Sequence, residues 1–172
     1  MRRLLIGGAL GVCVALGAFV TSLAAFGDSS ANSPSEEALQ QQADYWAIEQ
    51  LQKSFHRATS KKDIDLMMSL YAPNATLTIP GQTAVGKEQI RRFWLTKSDA
   101  FRPTNRWISE TPAYKVRITA DGDKGTLHFE CHYVDVNNKT VVVYLTADQE
   151  VVRIEGEWLV ADMVVGSAAL RP

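Results

Sequence analysis

The chain has 172 residues, 46% of them hydrophobic, and sets 18 lysines and arginines against 19 acids for a formal charge of −1. Those charges alternate in sign along the chain and form no basic stripe, which excludes a nucleic acid as its partner. Cys13 and Cys131 lie in segments of opposite character, so a disulfide-stapled domain is excluded as well.

Met1-Arg2-Arg3 runs straight into Leu4–Phe26, which carries no charged side chain and is rich in Gly, Ala, Val and Leu. This reads as a secretory signal peptide, with Ser22-Leu23-Ala24 or Ala25-Phe26-Gly27 as the cleavage site, or as a retained transmembrane anchor. A bilayer span takes about 20 apolar residues, and uncut the segment would hold Arg2 and Arg3 in the cytoplasm with the domain outside. Either route predicts an exported protein in the periplasm, the cell envelope or the extracellular space, bound to the membrane if the segment stays. Leu10-Gly11-Val12-Cys13 departs from a lipoprotein box because Val12 is bulky, and Arg2-Arg3 lacks the polar neighbours of a twin-arginine signal. The sequence thus predicts an export segment over 1–26, a flexible polar linker over 27–35 and one domain over 36–172.

Within that domain, Ser35 is an expected cap for a long helix reaching about Ser60, with Glu36 and Glu37 in its first turn. Ile48, Leu51, Phe55 and Ala58 form its apolar stripe. His56 falls just off the stripe, where a histidine is expected to be solvated. Asp63 caps a second, short helix with Ile64, Met67, Met68 and Tyr71 inward, and Pro73 is expected to stop it. Ala75–Ile79 alternates apolar residues with threonine as a strand ending at Pro80-Gly81. A third helix over Lys87–Lys97 buries Ile90, Phe93 and Trp94. Strands follow at about 113–120, 125–136, 140–152 and 158–165, joined at Asp121-Gly122-Asp123, Asn137-Asn138 and Glu155-Gly156, residue types that tolerate positive φ. Helices first and an antiparallel meander afterwards make an α+β fold.

The tight succession of Lys62-Asp63-Ile64-Asp65, Leu70-Tyr71-Ala72-Pro73-Asn74-Ala75 and Gly86-Lys87-Glu88-Gln89-Ile90, between one long helix and four strands, resembles the SnoaL-like branch of the NTF2-like superfamily over roughly residues 40–166. The resemblance implies an NTF2-like cone, three helices packed on a strongly bent antiparallel sheet that encloses a pocket. It implies no metal or organic cofactor. Scytalone-dehydratase-like members carry a Tyr-Asp pair where this chain has Thr59-Ser60, and many SnoaL-like enzymes place a histidine where this chain offers Trp107 or Thr111.

Asp162 is the candidate catalytic residue. Strict alternation puts it on one strand face with Trp158, Val160 and Val164, and the Trp-x-apolar pattern points inward in the chains this one resembles. Desolvation there would raise its pKa and make it a general base; on the outer face or the rim it would be solvated or paired. Tyr45, Phe55, Tyr71, Trp94, Trp107, Tyr114 and Trp158 are the candidate ligand-binding residues, since aromatic side chains wall a pocket and some carry a polar tip. His128, Glu130 and His132 alternate on one face opposite Phe129, Cys131 and Tyr133. The two histidines lie about 13 Å apart at 3.3 Å per residue, too far for one zinc with ligands at about 2 Å. That face reads as the convex, polar one, or as a homodimer surface. Cys131 reads as core.

The expected function is an exported SnoaL-like domain holding a small, largely apolar molecule. One alternative is a cofactor-independent isomerase, cyclase or dehydratase, in which Asp162 takes a proton next to a carbonyl while Tyr45 or Tyr71 donates to the oxyanion. The other is an envelope interaction module using the sheet.

Overall fold

The computed structural model describes residues 34–109 and 115–169. The expected export segment, most of the linker, Thr111 and Tyr114 lie outside these described residues. Among the described residues no helix is long and apolar enough to cross a membrane.

Helix α1 (Glu36–Lys61) starts at the expected cap, where the Ser35 hydroxyl accepts from the Ala38 N–H at 3.1 Å. It ends at Lys62, which turns left-handed at φ 56° and returns its N–H to the Ala58 and Thr59 carbonyls. Its buried side is wider than the expected stripe. Asp44, Gln52, His56 and Thr59 join Ile48, Leu51, Phe55 and Ala58, because the helix lies in the concavity of a curved sheet and touches β3, β4, β5 and β7, defined below. The solvated position expected for His56 is therefore corrected: it is 4% exposed.

Helix α2 (Ile64–Ser69) is capped by the Asp63 carboxylate, which accepts from Leu66 N–H at 2.9 Å, and buries Met67 and Met68. It stops before Pro73. Tyr71 already pairs with Val160, so β1 (Tyr71–Ile79) begins there, and exposed Pro73-Asn74 sit in the irregular stretch between the Tyr71 and Thr76 pairings. Proline is tolerated at such a point because it has no N–H to give the ladder. Pro80-Gly81 turns β1 into a short strand that the sequence did not announce, β2 (Gln82–Val85). Helix α3 (Gly86–Thr96) buries Ile90, Phe93 and Trp94 as expected. A helical turn (Asp99–Phe101) and β3 (Trp107–Ile108) follow. Lys62 Nζ ties this connection to the end of α1, donating to the Ala100 carbonyl at 3.0 Å and to Asn105 Oδ1 at 2.9 Å.

The strands β4 (Lys115–Asp121), β5 (Lys124–Asp135), β6 (Thr140–Ile154) and β7 (Glu157–Ala169) form the expected meander of three antiparallel hairpins. Gly122, Glu155 and Gly156 carry positive φ where the turns need it. In the middle connection that role falls to Lys139 rather than to Asn137 or Asn138, whose N–H groups instead donate to Asp135 Oδ1. The sheet runs β2-β1-β7-β6-β5-β3, with β4 also on β5. It is mixed, since the chain returns from the meander to lay β7 parallel to β1.

Two irregularities bend it. β6 carries an extra residue opposite Tyr133 and Val134, and β7 carries one, Ala161, between the pairings Val151↔Val160 and Glu150↔Asp162. Such bulges kink a strand and add twist, and here they bend the sheet over the helices. Along β5, Leu127, Phe129, Cys131 and Tyr133 face the helices and His128, Glu130 and His132 face away, the phase expected. Burial pushes the Cys131 thiol up to about 12, the behaviour of an inert core residue.

Candidate functional site

The concave side of the sheet and the three helices meet in a cluster of aromatic rings. Phe55 stands edge-on to Trp94 at 5.7 Å and lies against Phe129 at 5.4 Å between centroids; Trp94 continues to Phe93 at 5.3 Å and Phe101 at 5.5 Å. Trp107, half-buried, stacks on Tyr133 at 6.2 Å. Beside them opens a cleft of ≈ 450 Å³ whose lining includes Trp94, Trp107, Tyr133, Leu145 and Val165. That volume falls within the range of small-molecule pockets.

Polar atoms converge among these rings. The Tyr71 hydroxyl, 1% exposed, donates to Met163 Sδ at 3.2 Å. The Trp94 indole N–H faces Tyr71 and the Tyr133 hydroxyl faces Thr59, yet neither reaches hydrogen-bond geometry, and both are sealed from solvent. Thr59 spends its hydroxyl on the Phe55 carbonyl at 2.8 Å. Burial pushes both tyrosine phenols upward, so they remain neutral donors. A buried polar group without a partner costs about 1–3 kcal/mol; both groups belong to residues that line the cleft, although the atoms themselves are covered.

His56 packs against the core rings of Phe55 and Phe129 and does not line the cleft. Its ring meets Phe129 at 5.2 Å, and its Nδ1 lies 3.1 Å from the hydroxyl of fully buried Ser109, whose backbone N–H is held by Ser60 Oγ at 2.9 Å. Desolvation brings its pKa down to about 4, so the ring is neutral at neutral pH. Thr59 and Ser60, standing where an acid–base pair would stand in dehydratase-like members, are thus both committed to backbone groups.

Asp162 is elsewhere. The extra residue Ala161 reverses the alternation of β7: Trp158 and Val160 face in before it, Met163 and Val165 after it, and Asp162 and Val164 turn outward. The expected common face of Asp162 with Trp158 and Val160 is corrected accordingly. Asp162 accepts a hydrogen bond from the Thr76 hydroxyl and helps line an outer groove with Arg117, His128, Asp148 and Glu150. Partial burial and the charge of Glu150 raise its pKa. On that face His128 bonds Asp148 at 2.6 Å and Glu130 at 3.3 Å, and Lys115 pairs with Glu130 at 2.7 Å. Asp162→Asn is expected to leave the domain at least as stable at pH 7, because it removes repulsion from Glu150 and keeps an oxygen for Thr76. Urea midpoints check this, and a clear fall would mean that the charge itself is used.

Of the candidate ligand-binding residues, Trp94 and Trp107 line the cleft, while Phe55 and Tyr71 are buried in the core and do not reach its lining. Nor does Trp158; its indole N–H donates to Asp44 Oδ1 at 3.3 Å under the Arg153 guanidinium. Tyr45, half-buried, belongs to the earlier turns of α1. Tyr133 lines the cleft as well, whereas Phe129, His56 and Ser109 are core residues off its lining. Tyr133 could have been found as the inward alternate of the His-x-Glu-x-His strand. Ser109, beside a two-residue strand, had no signal.

Residues 40–164 match the family model described as a SnoaL-like domain. No curated protein matches the chain. Among solved structures, a protein of unknown function with a cystatin-like fold from Nostoc punctiforme is similar at 18% identity and TM-score 0.64, covering 73% of this chain and 92% of its own. An NTF2-like protein of unknown function from Pseudomonas putida has the same identity and TM-score, with 73% and 87% covered. A hexachlorocyclohexane dehydrochlorinase from Novosphingobium barchaimii is similar at 17% identity and TM-score 0.61, with 75% and 91% covered.

Proposed function

Because the chain belongs to the SnoaL-like family and folds as an NTF2-like cone, we propose that it holds a small, largely apolar molecule in the aromatic cleft by hydrogen bonds from Trp94 and Tyr133. The observation that carries this reading is the pair of buried donors without acceptors in a wall otherwise made of rings. Such donors select a ligand with an accepting oxygen on an apolar frame. The fold is similar to that of a hexachlorocyclohexane dehydrochlorinase, but the positions where dehydratase-like members carry an acid–base pair hold Thr59 and Ser60, both bonded to backbone groups. Binding therefore has more support than turnover. Export through residues 1–26 belongs to the same proposal, and the mass of the mature chain after cell fractionation tests it.

2-Acetylnaphthalene, which offers a carbonyl acceptor, is expected to bind roughly tenfold more tightly than naphthalene, the size of one hydrogen bond to a buried group. Trp94→Phe together with Tyr133→Phe should remove most of that preference. Quenching of tryptophan fluorescence or calorimetry reads it. Equal affinities for the two compounds in the unaltered protein would sink the reading.

A further inference from the structure

The first two turns of α1 stand clear of the sheet, and every residue from 36 to 43 is exposed. On the side of the helix turned away from the core, Glu36, Leu39, Ala43, Trp46, Gln50 and Lys53 follow one another at alternating steps of three and four. These are the a and d positions of a heptad, the spacing of a seam between two helices. Leu39 at 57% and Trp46 at 65% are the most exposed large apolar side chains among the described residues. We propose that this seam is an interface with a second copy of the chain, in which two α1 helices pair antiparallel.

The order of side chains along the seam names the occupant. An acid opens it, three apolar residues follow, and an amide and a base close it. Turned end for end, the seam sets Trp46 against Ala43 of the second copy, Leu39 against the aliphatic stem of Gln50 of the second copy, and Glu36 against Lys53 of the second copy. A two-fold axis then repeats every layer, as a closed isologous contact requires. Large meets small at the centre and opposite charges meet at both ends. A parallel pair would instead stack Trp46 on Trp46, Glu36 on Glu36 and Lys53 on Lys53, and like charges in register oppose association. Lys53 Nζ already reaches Glu49 of its own helix at 2.8 Å, an exposed pair that leaves further ammonium hydrogens for a second carboxylate.

The contact also answers the overhang. Short helices without tertiary packing are marginal in water, and in this arrangement the uncovered turns of each copy lie on the middle of the other helix. The overlap spans about 27 Å at 1.5 Å per residue. It leaves the clefts open: Ala100, which lines the cleft, accepts from Lys62 at the far end of α1, so the pair carries its two clefts at opposite ends. The convex face with His128 takes no part. One pair of helices is a small interface, near or below the roughly 1,200 Å² at which stable complexes begin, so the association is expected to be reversible.

Disulfide cross-linking of the full-length chain with Cys13→Ser, at about 100 µM, tests both the pairing and its register. Leu39→Cys combined with Gln50→Cys is expected to give a covalent dimer on a non-reducing gel. Within one chain those positions stand about 16 Å apart along the helix, beyond the roughly 7 Å that a disulfide bridges. Leu39→Cys alone and Gln50→Cys alone should each give at least tenfold less dimer. Adding Trp46→Lys to the double-cysteine chain should cut the yield at least tenfold with the circular dichroism unchanged. Glu36→Lys should weaken the cross-link, and adding Lys53→Glu should restore it. No dimer from the double-cysteine chain, an equal dimer from Leu39→Cys alone, or a yield indifferent to Trp46→Lys would each overturn the proposal. So would quenching by brominated phosphatidylcholine vesicles that disappears in Trp46→Phe and comes without any cross-link, which would give the face to a bilayer.

Discussion

Phe129→Ala is expected to destabilise the domain by about 3–5 kcal/mol, the range for truncating a fully buried aromatic, and to lower its melting temperature by roughly 10–20 °C. Phe129 is 0% exposed at the middle of β5, with the neighbouring rings of Phe55 and His56 both packed against it. Removing the ring takes away packing from both and leaves a hole that neighbours on a hydrogen-bonded strand and a long helix cannot close. Urea denaturation monitored by circular dichroism measures the effect. A loss below about 1 kcal/mol would mean that α1 can settle onto the sheet.

Asp44→Ala carries the second large effect, about 2–4 kcal/mol. Asp44 is 7% exposed and accepts from Gln40, Trp158 and Arg153, the last at 2.9 Å. Arg153 also donates to the Gly122 carbonyl at 2.7 Å, pairs with Asp123 at 3.0 Å and lies 4.8 Å over the Trp158 ring. One carboxylate therefore pins the long helix to the β4–β5 turn and to the start of β7, and without it a guanidinium is left half-matched. Burial pushes the Asp44 pKa upward, but the hydrogen bonds and the charge of Arg153 outweigh it and hold the value below the ordinary one. A carboxyl with a lowered folded pKa contributes fully above its unfolded value, near 4, and loses that contribution as the pH falls through the lower folded value. The stability gap between the unaltered protein and Asp44→Ala should accordingly be widest at pH 7 and narrow toward pH 3. A gap independent of pH would assign the effect to packing instead.

Local patterns in the chain announced much of this architecture. Ser35 and Asp63 are caps because short oxygen-bearing side chains reach the first free N–H groups, a property readable from the letters alone. The Ile90–Phe93–Trp94 stripe and the alternation Leu127–Phe129–Cys131–Tyr133 follow from helix and strand periods, and both faces fell where those periods put them. What escaped was set by the third dimension. The wide buried side of α1, and with it His56 and Asp44, depends on how far the sheet curls around the helix. Tyr71 was assigned to a helix because its pairing partner, Val160, is far away in sequence. Ser109 acquires meaning only beside His56 and Ser60, which lie 53 and 49 residues earlier in the chain. Asp162 was misdirected for a different reason, since period-two reasoning assumes an unbroken strand.

The extra residue Ala161 also bears on how such domains diverge. Every side chain after it on β7 owes its direction to that residue being held in a bulge. Absorbing Ala161 into regular pairing, with no residue lost, would exchange the two faces of the strand's end, carrying Asp162 and Val164 toward the cone and sending Met163 and Val165 to solvent, whereas deleting it would close the bulge and leave those faces as they are. The exchange is too unfavourable to survive alone, because buried methionine and valine would be traded for a carboxylate. Paired with substitutions that restore an apolar lining, however, it moves an acid from the outside of the cone to its interior without altering the fold. Whether the bulge at this position is held or flattened therefore decides which face of the strand's end lines the cone. Comparisons of C-terminal strands among these domains have to count residues from the bulge rather than from the preceding tryptophan.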